Sequence, residues 1–145
     1  MHIRSMSKRD YDFVVSVLDR WWDGPSNERA HPVFFHELGQ DALVAEEEGA
    51  VIGFLLGFVS PQPEPYAYVH LVGIHPEYRR RGVGKALYEA FIARAKTRGA
   101  TRMKVISAPG NDASERFHVA MGFSTQVTAD YAGPGRARVI YLRKL

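Results

Sequence analysis

Between Asp10 and Trp21 the apolar side chains Phe13, Val14, Val17, Leu18 and Trp21 recur at the spacing of one helical face. Ser7, with Asp10 three residues on, forms a capping box in which Asp replaces the usual Glu. Residues 2–6 ahead of it predict a short strand, and Asp23-Gly24-Pro25-Ser26-Asn27 breaks the helix behind it. Residues 28–38, rich in aromatics and histidine, fit a second short helix or an ordered loop. Residues 42–47 and 51–59 read as strands flanking a hairpin tip at Glu48-Gly49. The proline-rich residues 61–65 cannot continue a central strand and form a connection.

Residues 66–75 predict the next strand, ended by Pro76. In residues 82–98, Val83, Leu87, Phe91 and Ala95 follow at four-residue steps, with Gly99 as the stop. A strand over 102–107 and a turn at Pro109-Gly110 come next. A helix over 111–121 follows, with Ala113, Phe117 and Ala120 or Met121 on one face. Strands over 123–128 and 138–142 close the chain around Gly133-Pro134-Gly135. This order predicts an α/β (α+β) domain, a mixed sheet of about 6–7 strands flanked by about four helices, with no internal repeat.

Composition narrows the chemistry. The chain has 145 residues, a length that fits one domain, here taken as residues 1–145. It has no cysteine, which excludes disulfide scaffolds, thiolate-held metals and cysteine nucleophiles. Net charge is +3, too small an excess to demand a nucleic-acid partner. The three adjacent arginines lack the interleaved aromatics of a nucleic-acid surface. No apolar run approaches the length of a membrane helix, and residues 1–10 are charged, so a cytoplasmic protein without a membrane partner is expected. None of the six histidines forms an H-E-x-x-H pair, and no metal is expected.

The segment His75-Pro76-Glu77-Tyr78-Arg79-Arg80-Arg81-Gly82-Val83-Gly84-Lys85 joins a strand to an amphipathic helix. A helix N-terminus offers unpaired N–H groups and a partial positive charge, and glycines let a ligand approach the backbone closely. The three-glycine dinucleotide fingerprint fails at Leu87, and a Walker loop fails at Arg79 and Ala86. What survives is Arg-x-x-Gly-x-Gly, with a solvated basic turn as the plain alternative.

That segment resembles the acetyl-CoA loop of the GCN5-related N-acetyltransferase family, Q/R-x-x-G-x-G/A. Asn111, Phe117, His118 and Met121-Gly122-Phe123 resemble the family's second pattern, N-x-x-A-x-x-φ-Y-x-x-x-G-F. The resemblance covers essentially the whole chain and implies that family's fold, with acetyl-CoA as cosubstrate. It implies that Arg79, Arg80, Arg81, Gly82, Val83, Gly84 and Lys85 hold the pyrophosphate. Val72, Gly73 and Ile74 would contact the pantetheine and acetyl carbonyl, aided by Asn111 and Phe117. A splay between the strands at 66–75 and 102–107 would admit the pantetheine as an extra strand.

Acyl transfer to an amine needs a base, because an alkylammonium titrates near pH 10, and the departing thiolate gains from a proton donor. Strand alternation puts Tyr66, Tyr68, His70, Val72 and Ile74 on one face. His70 is the candidate base, against the alternative of a histidine hydrogen-bonded within the sheet. His118 stands where the family usually has tyrosine and is the candidate acid; otherwise it only lines the thiol or caps a strand, with Tyr88 and Tyr131 as replacement donors. By resemblance the acceptor pocket draws on Trp21, Trp22, Glu28, Phe34 and Tyr68. Adjacent tryptophans diverge by about 100° on a helix, so one faces the cleft or another subunit, or sits half-exposed at the helix end.

The function so implied is transfer of an acetyl group from acetyl-CoA to a primary amine, small molecule or peptide, by direct attack in a ternary complex. The protein would act as a monomer or homodimer. The alternative is a non-catalytic acyl-CoA-binding or sensing domain.

Overall fold

The computed structural model describes residues 1–22 and 27–145; the expected helix break at residues 23–27 falls almost wholly outside the described residues. Seven strands are described: β1 His2–Ser5, β2 Leu43–Glu47, β3 Ala50–Ser60, β4 Tyr66–Ile74, β5 Arg102–Ser107, β6 Ser124–Thr128 and β7 Arg138–Lys144. They form one sheet in the order β1-β2-β3-β4-β5-β7-β6. Only β4 and β5 run parallel; the other neighbours are antiparallel. The helices are α1 Lys8–Trp22, α2 Val33–His36, α3 Val83–Thr97 and α4 Asp112–Ala120. The ambiguous stretch at 28–38 resolves into a 3-10 turn, Asn27–Ala30, followed by α2. No helix among the described residues is long and apolar enough to cross a membrane.

The capping box at α1 forms as expected. The Ser7 N–H donates to Asp10 Oδ2 at 2.7 Å, and the Asp10 N–H donates back to Ser7 Oγ at 3.2 Å. Asp10 also takes two hydrogen bonds from the Arg4 guanidinium of β1, at 2.6 and 3.0 Å. Arg4 and the Ser7 donors together hold this carboxyl down at about 2 despite its burial.

Two apolar layers sandwich the sheet. On one face Val83, Leu87, Phe91 and Ala95 of α3 pack on Leu55, Val69, Met103 and Val105. On the other, Val14, Leu18 and Trp21 of α1 pack on Val44, Phe54, Leu56 and Leu71. The expected apolar faces of two helices are corrected. Phe13 is 41% exposed, because α1 turns Tyr11 and Val14 inward instead. On α4, Ala113 and Ala120 face outward; the inward stripe is Ser114, Phe117, His118 and Met121, with His118 alone fully buried.

Alternation along β4 is also broken. Leu56 pairs with Leu71 but Gly57 pairs with Val69, so His70 is an extra residue in the ladder. Ala67 and Val69 consequently face α3, Leu71 faces α1, and Val72 and Ile74 return to the α3 side. The expectation that Tyr66, Tyr68, His70, Val72 and Ile74 share one face is therefore wrong beyond His70. Just past the bulge, Gly73 is pressed on the Phe54 ring: a Cβ there would lie 2.3 Å from a ring carbon.

Replacing Gly73 by alanine overpacks that contact and is expected to lower unfolding stability by about 1–3 kcal/mol in urea titration. Adding Phe54→Leu should recover part of the loss; no change in G73A alone would contradict the close packing.

Candidate functional site

The turn between β4 and α3 is built by short-range bonds. The His75 N–H closes onto the Ile52 carbonyl at 2.8 Å, and His75 Nδ1 accepts from the Glu77 N–H at 3.0 Å. Arg80 and Gly82 take the left-handed conformation, φ 63° and 80°. Glycine adopts it readily, whereas for arginine it is uncommon. Gly82 caps α3 without a side-chain acceptor, and the helix's own bonding begins with Ala86 N–H to the Gly82 carbonyl. The amides of Val83, Gly84 and Lys85 thus have no carbonyl within the helix to bond. Gly84 leaves room for Phe117, whose ring would lie 3.6 Å from a Cβ there.

The arginines divide their work. The Arg79 guanidinium turns one of its N–H groups onto the Trp21 carbonyl at the end of α1. Arg81 lies 5.1 Å over the Tyr78 ring, and Arg80 is exposed. Lys85 pairs with Glu89 at 3.8 Å on the exposed side of α3, a weak surface contact.

Ahead of this turn the sheet opens. Strands β4 and β5 pair only at Ala67–Met103, Tyr68–Lys104 and Val69–Val105. Past that point residues 70–74 have a strand neighbour on the β3 side alone. Val72, Gly73 and Ile74 therefore border a slot whose far end leads to the α3 amides. Asn111 stands at the start of α4, its Oδ1 accepting from the Ser114 N–H at 3.1 Å.

At the mouth of the slot His70 is held on the α1–α2 side. Its Nε2–H donates to the Arg29 carbonyl at 2.7 Å, and its ring stacks on Phe34 with centroids 3.6 Å apart and planes 11° from parallel. That hydrogen bond assigns the proton to Nε2 and leaves Nδ1 as the basic atom. Burial holds the imidazole below its ordinary value, outweighing the Arg29 carbonyl. Phe58 and Tyr68 complete an aromatic wall, 6.3 Å from Phe34 and His70 respectively.

The other expected acceptor residues are dispersed. Trp21 is buried against Phe54 and His75. Trp22 is half-buried under the Arg29 guanidinium at 5.3 Å. Glu28 is exposed beside Tyr11, His31 and Pro32 on a separate groove. Of the five, Phe34 and Tyr68 are brought to His70.

His118 is 4% exposed and its ring is fully engaged. Nδ1–H donates to the Ser114 carbonyl at 2.7 Å, Nε2 accepts from the Tyr88 hydroxyl at 2.8 Å, and Tyr141 stacks on the ring at 4.3 Å. Burial lowers its pKa, so the neutral ring is favoured. The expected acid thus has no free N–H to deliver. Sequence reasoning missed this Tyr88–His118–Tyr141 stack, because Tyr88 lies on the buried stripe of α3 and Tyr141 on β7, far away in the chain. The Tyr141 hydroxyl in turn bonds Ser107 Oγ at 2.9 Å, at the diverging end of β5.

The slot between the parting parallel strands leads to the open N-terminus of α3, whose unpaired amides suit an anionic group. The sequence profile described as the Acetyltransferase (GNAT) family matches residues 11–123, and the chain belongs to that family. It is 33% identical over 72 residues to the L-2,4-diaminobutyric acid acetyltransferase of Nocardia farcinica, a match covering 50% of this chain and 37% of that protein. The chain thus spans well under half of that relative's length. With acetyltransferase YE1169 of Yersinia enterocolitica it shares 26% identity over 136 residues, covering 88% of this chain and 91% of that one. The fold is that of YncA from Salmonella typhimurium, solved with its cofactor acetyl-CoA: TM-score 0.75, 20% identity, 99% of this chain and 93% of that chain.

Tyr88→Phe strips the buried His118 Nε2 of its donor and is expected to cost about 1–3 kcal/mol of unfolding stability. Because the folded pKa of His118 lies below 6.5, its contribution is complete above pH 6.5 and is lost as pH falls below that value. The melting midpoint should therefore decline on acidification from pH 7 to 5, and less steeply in His118→Gln; an unchanged slope would contradict the buried neutral ring.

Proposed function

We propose that this chain, acting as one domain over residues 1–145, transfers an acetyl group from acetyl-CoA to a primary amine by direct attack. The observation that carries the reading is the parting of β4 from β5 after Val69, with His70 at its mouth and the open amides of α3 at its far end. The residues fit coenzyme A: Gly82 and Gly84 give a backbone cradle, the amides from Arg79 to Lys85 with Arg80 and Arg81 hold the pyrophosphate, and Val72, Gly73 and Ile74 offer strand-like edge groups to the pantetheine. Asn111 and Phe117 flank the same ligand from α4. Bound there, acetyl-CoA supplies the acetyl group activated as a thioester.

The chain's own residues then handle the protons. His70 Nδ1 removes a proton from the acceptor, made ready by Nε2–H fixed on the Arg29 carbonyl. Its lowered pKa keeps the ring neutral at pH 7, the form a base requires. His118 acts as a positioning residue that holds Tyr141, and the Ser107–Tyr141 hydroxyl pair provides the protic group for the departing sulfur. With no cysteine in the chain, no thiol carries the acyl group in transit.

Thermal-shift titration with acetyl-CoA, CoA, ATP and NAD side by side tests the cradle. Acetyl-CoA and CoA at about 100 times their dissociation constant should add roughly 2.7 kcal/mol, with little from ATP or NAD. His70→Gln is expected to lower kcat for thiol release by about 10²–10⁴-fold while keeping that stabilisation. No response to either CoA form would overturn the proposal. Stabilisation without thiol release from any amine would leave a non-catalytic acyl-CoA-binding domain.

A further inference from the structure

Lys104 stands one position before the end of the β4–β5 pairing, directly opposite Tyr68. Its neighbours Met103 and Val105 point into the α3-side core, so Lys104 projects onto the face that carries His70. There its ammonium lies 5.7 Å from the Tyr66 ring and 5.3 Å from the Tyr131 ring. Tyr131 is delivered by the braced loop between β6 and β7. In that loop the Gly135 N–H donates to Asp130 Oδ1 at 2.7 Å and the Arg136 N–H to the Gly133 carbonyl at 2.9 Å. Burial above all, and then the Tyr131 and Tyr66 hydroxyls, push the Tyr68 hydroxyl pKa upward.

Lys104 is half-buried, and among the described residues no carboxylate lies within ion-pairing distance of it. The aromatic wall beside it, Phe34, Phe58, Tyr68 and His70, contributes no negative charge either. A partly desolvated ammonium without a counter-ion is unfavourable, and two ring faces compensate only in part. Arg102 lies 5.2 Å over the other side of the assembly, on Tyr66, and adds positive potential. The face is thus electrostatically prepared for a negative group one or two strand positions from the mouth of the slot, a span of roughly 3–7 Å at strand rise.

We propose that the acceptor is a small amino acid-like molecule, a primary amine with a carboxylate a few bonds away, and that Lys104 binds that carboxylate. This rests on the acetyltransferase reading above. The amine reaches His70 while the carboxylate lies between Tyr66 and Tyr131, and the rings of Phe34, Phe58 and Tyr68 cover its apolar body. Polyamines and other polycations are disfavoured by the same charge.

The test compares acceptors that differ only in the carboxylate: phenylalanine against phenethylamine, tyrosine against tyramine, 4-aminobutyrate against butylamine, with spermidine as the polycation. Thiol release should favour the carboxylate member by tenfold or more in kcat/KM. Lys104→Met should abolish that preference through a raised KM for the carboxylate acceptors, with acetyl-CoA stabilisation intact. Lys104→Glu should turn the preference toward diamines. Turnover with equal or better use of the plain amines, or of spermidine, overturns the proposal while leaving the acetyltransferase reading standing. If no acceptor is turned over, the same pairs are titrated into the CoA-saturated protein. Absence of a carboxylate-dependent, Lys104-dependent thermal shift then overturns it; a shift supports the binding role.

Discussion

The extra residue at His70 is the constraint on which the site depends. A strand without it would keep residues 66–74 in strict alternation, and Leu71 could not join the α1-side core while Val69 and Val72 both face α3. By bending β4 where its pairing with β5 ends, the bulge puts His70 at the mouth of the slot and hands its edge groups to whatever enters. Gly73 and Gly57 then become necessary, one lying against the Phe54 ring and the other with a would-be Cβ 2.7 Å from the Tyr68 carbonyl.

Much of this fold was legible because its signals are local. The reciprocal Ser7–Asp10 cap, the four-residue steps of α3, the hairpin tip at Glu48-Gly49 and the strand at Arg102–Ser107 each need only a few neighbouring residues to be read. The turn ahead of α3 was equally legible, since glycine at 82 answers a left-handed φ that most other residues resist. The bulge left no such mark. It adds a residue without glycine or proline to announce it, and a register is a property of two strands, not of one.

The proposed acceptor side was legible only in part, for the same reason. Phe34 and Tyr68 meet His70, yet Trp21 belongs to the core and Glu28 to another groove. Lys104 carried no signal of its own: it is an ordinary polar position on an alternating strand until Tyr66 and Tyr131, brought from β4 and a distant loop, close around it. Backbone-imposed chemistry can be read along the chain, whereas side-chain assemblies from four elements cannot.

The buried stack around His118 bears on how such a site can change over time. Where the pattern this segment resembles has tyrosine, this chain has an imidazole that accepts a hydrogen bond from the Tyr88 hydroxyl and donates one to the Ser114 carbonyl, among the rings of Phe117, Phe123 and Tyr141. A larger phenol introduced there alone would have to displace those rings and would leave the Tyr88 hydroxyl buried without its acceptor. Positions 88 and 118 are therefore energetically coupled: what a substitution costs at one depends on which residue stands at the other.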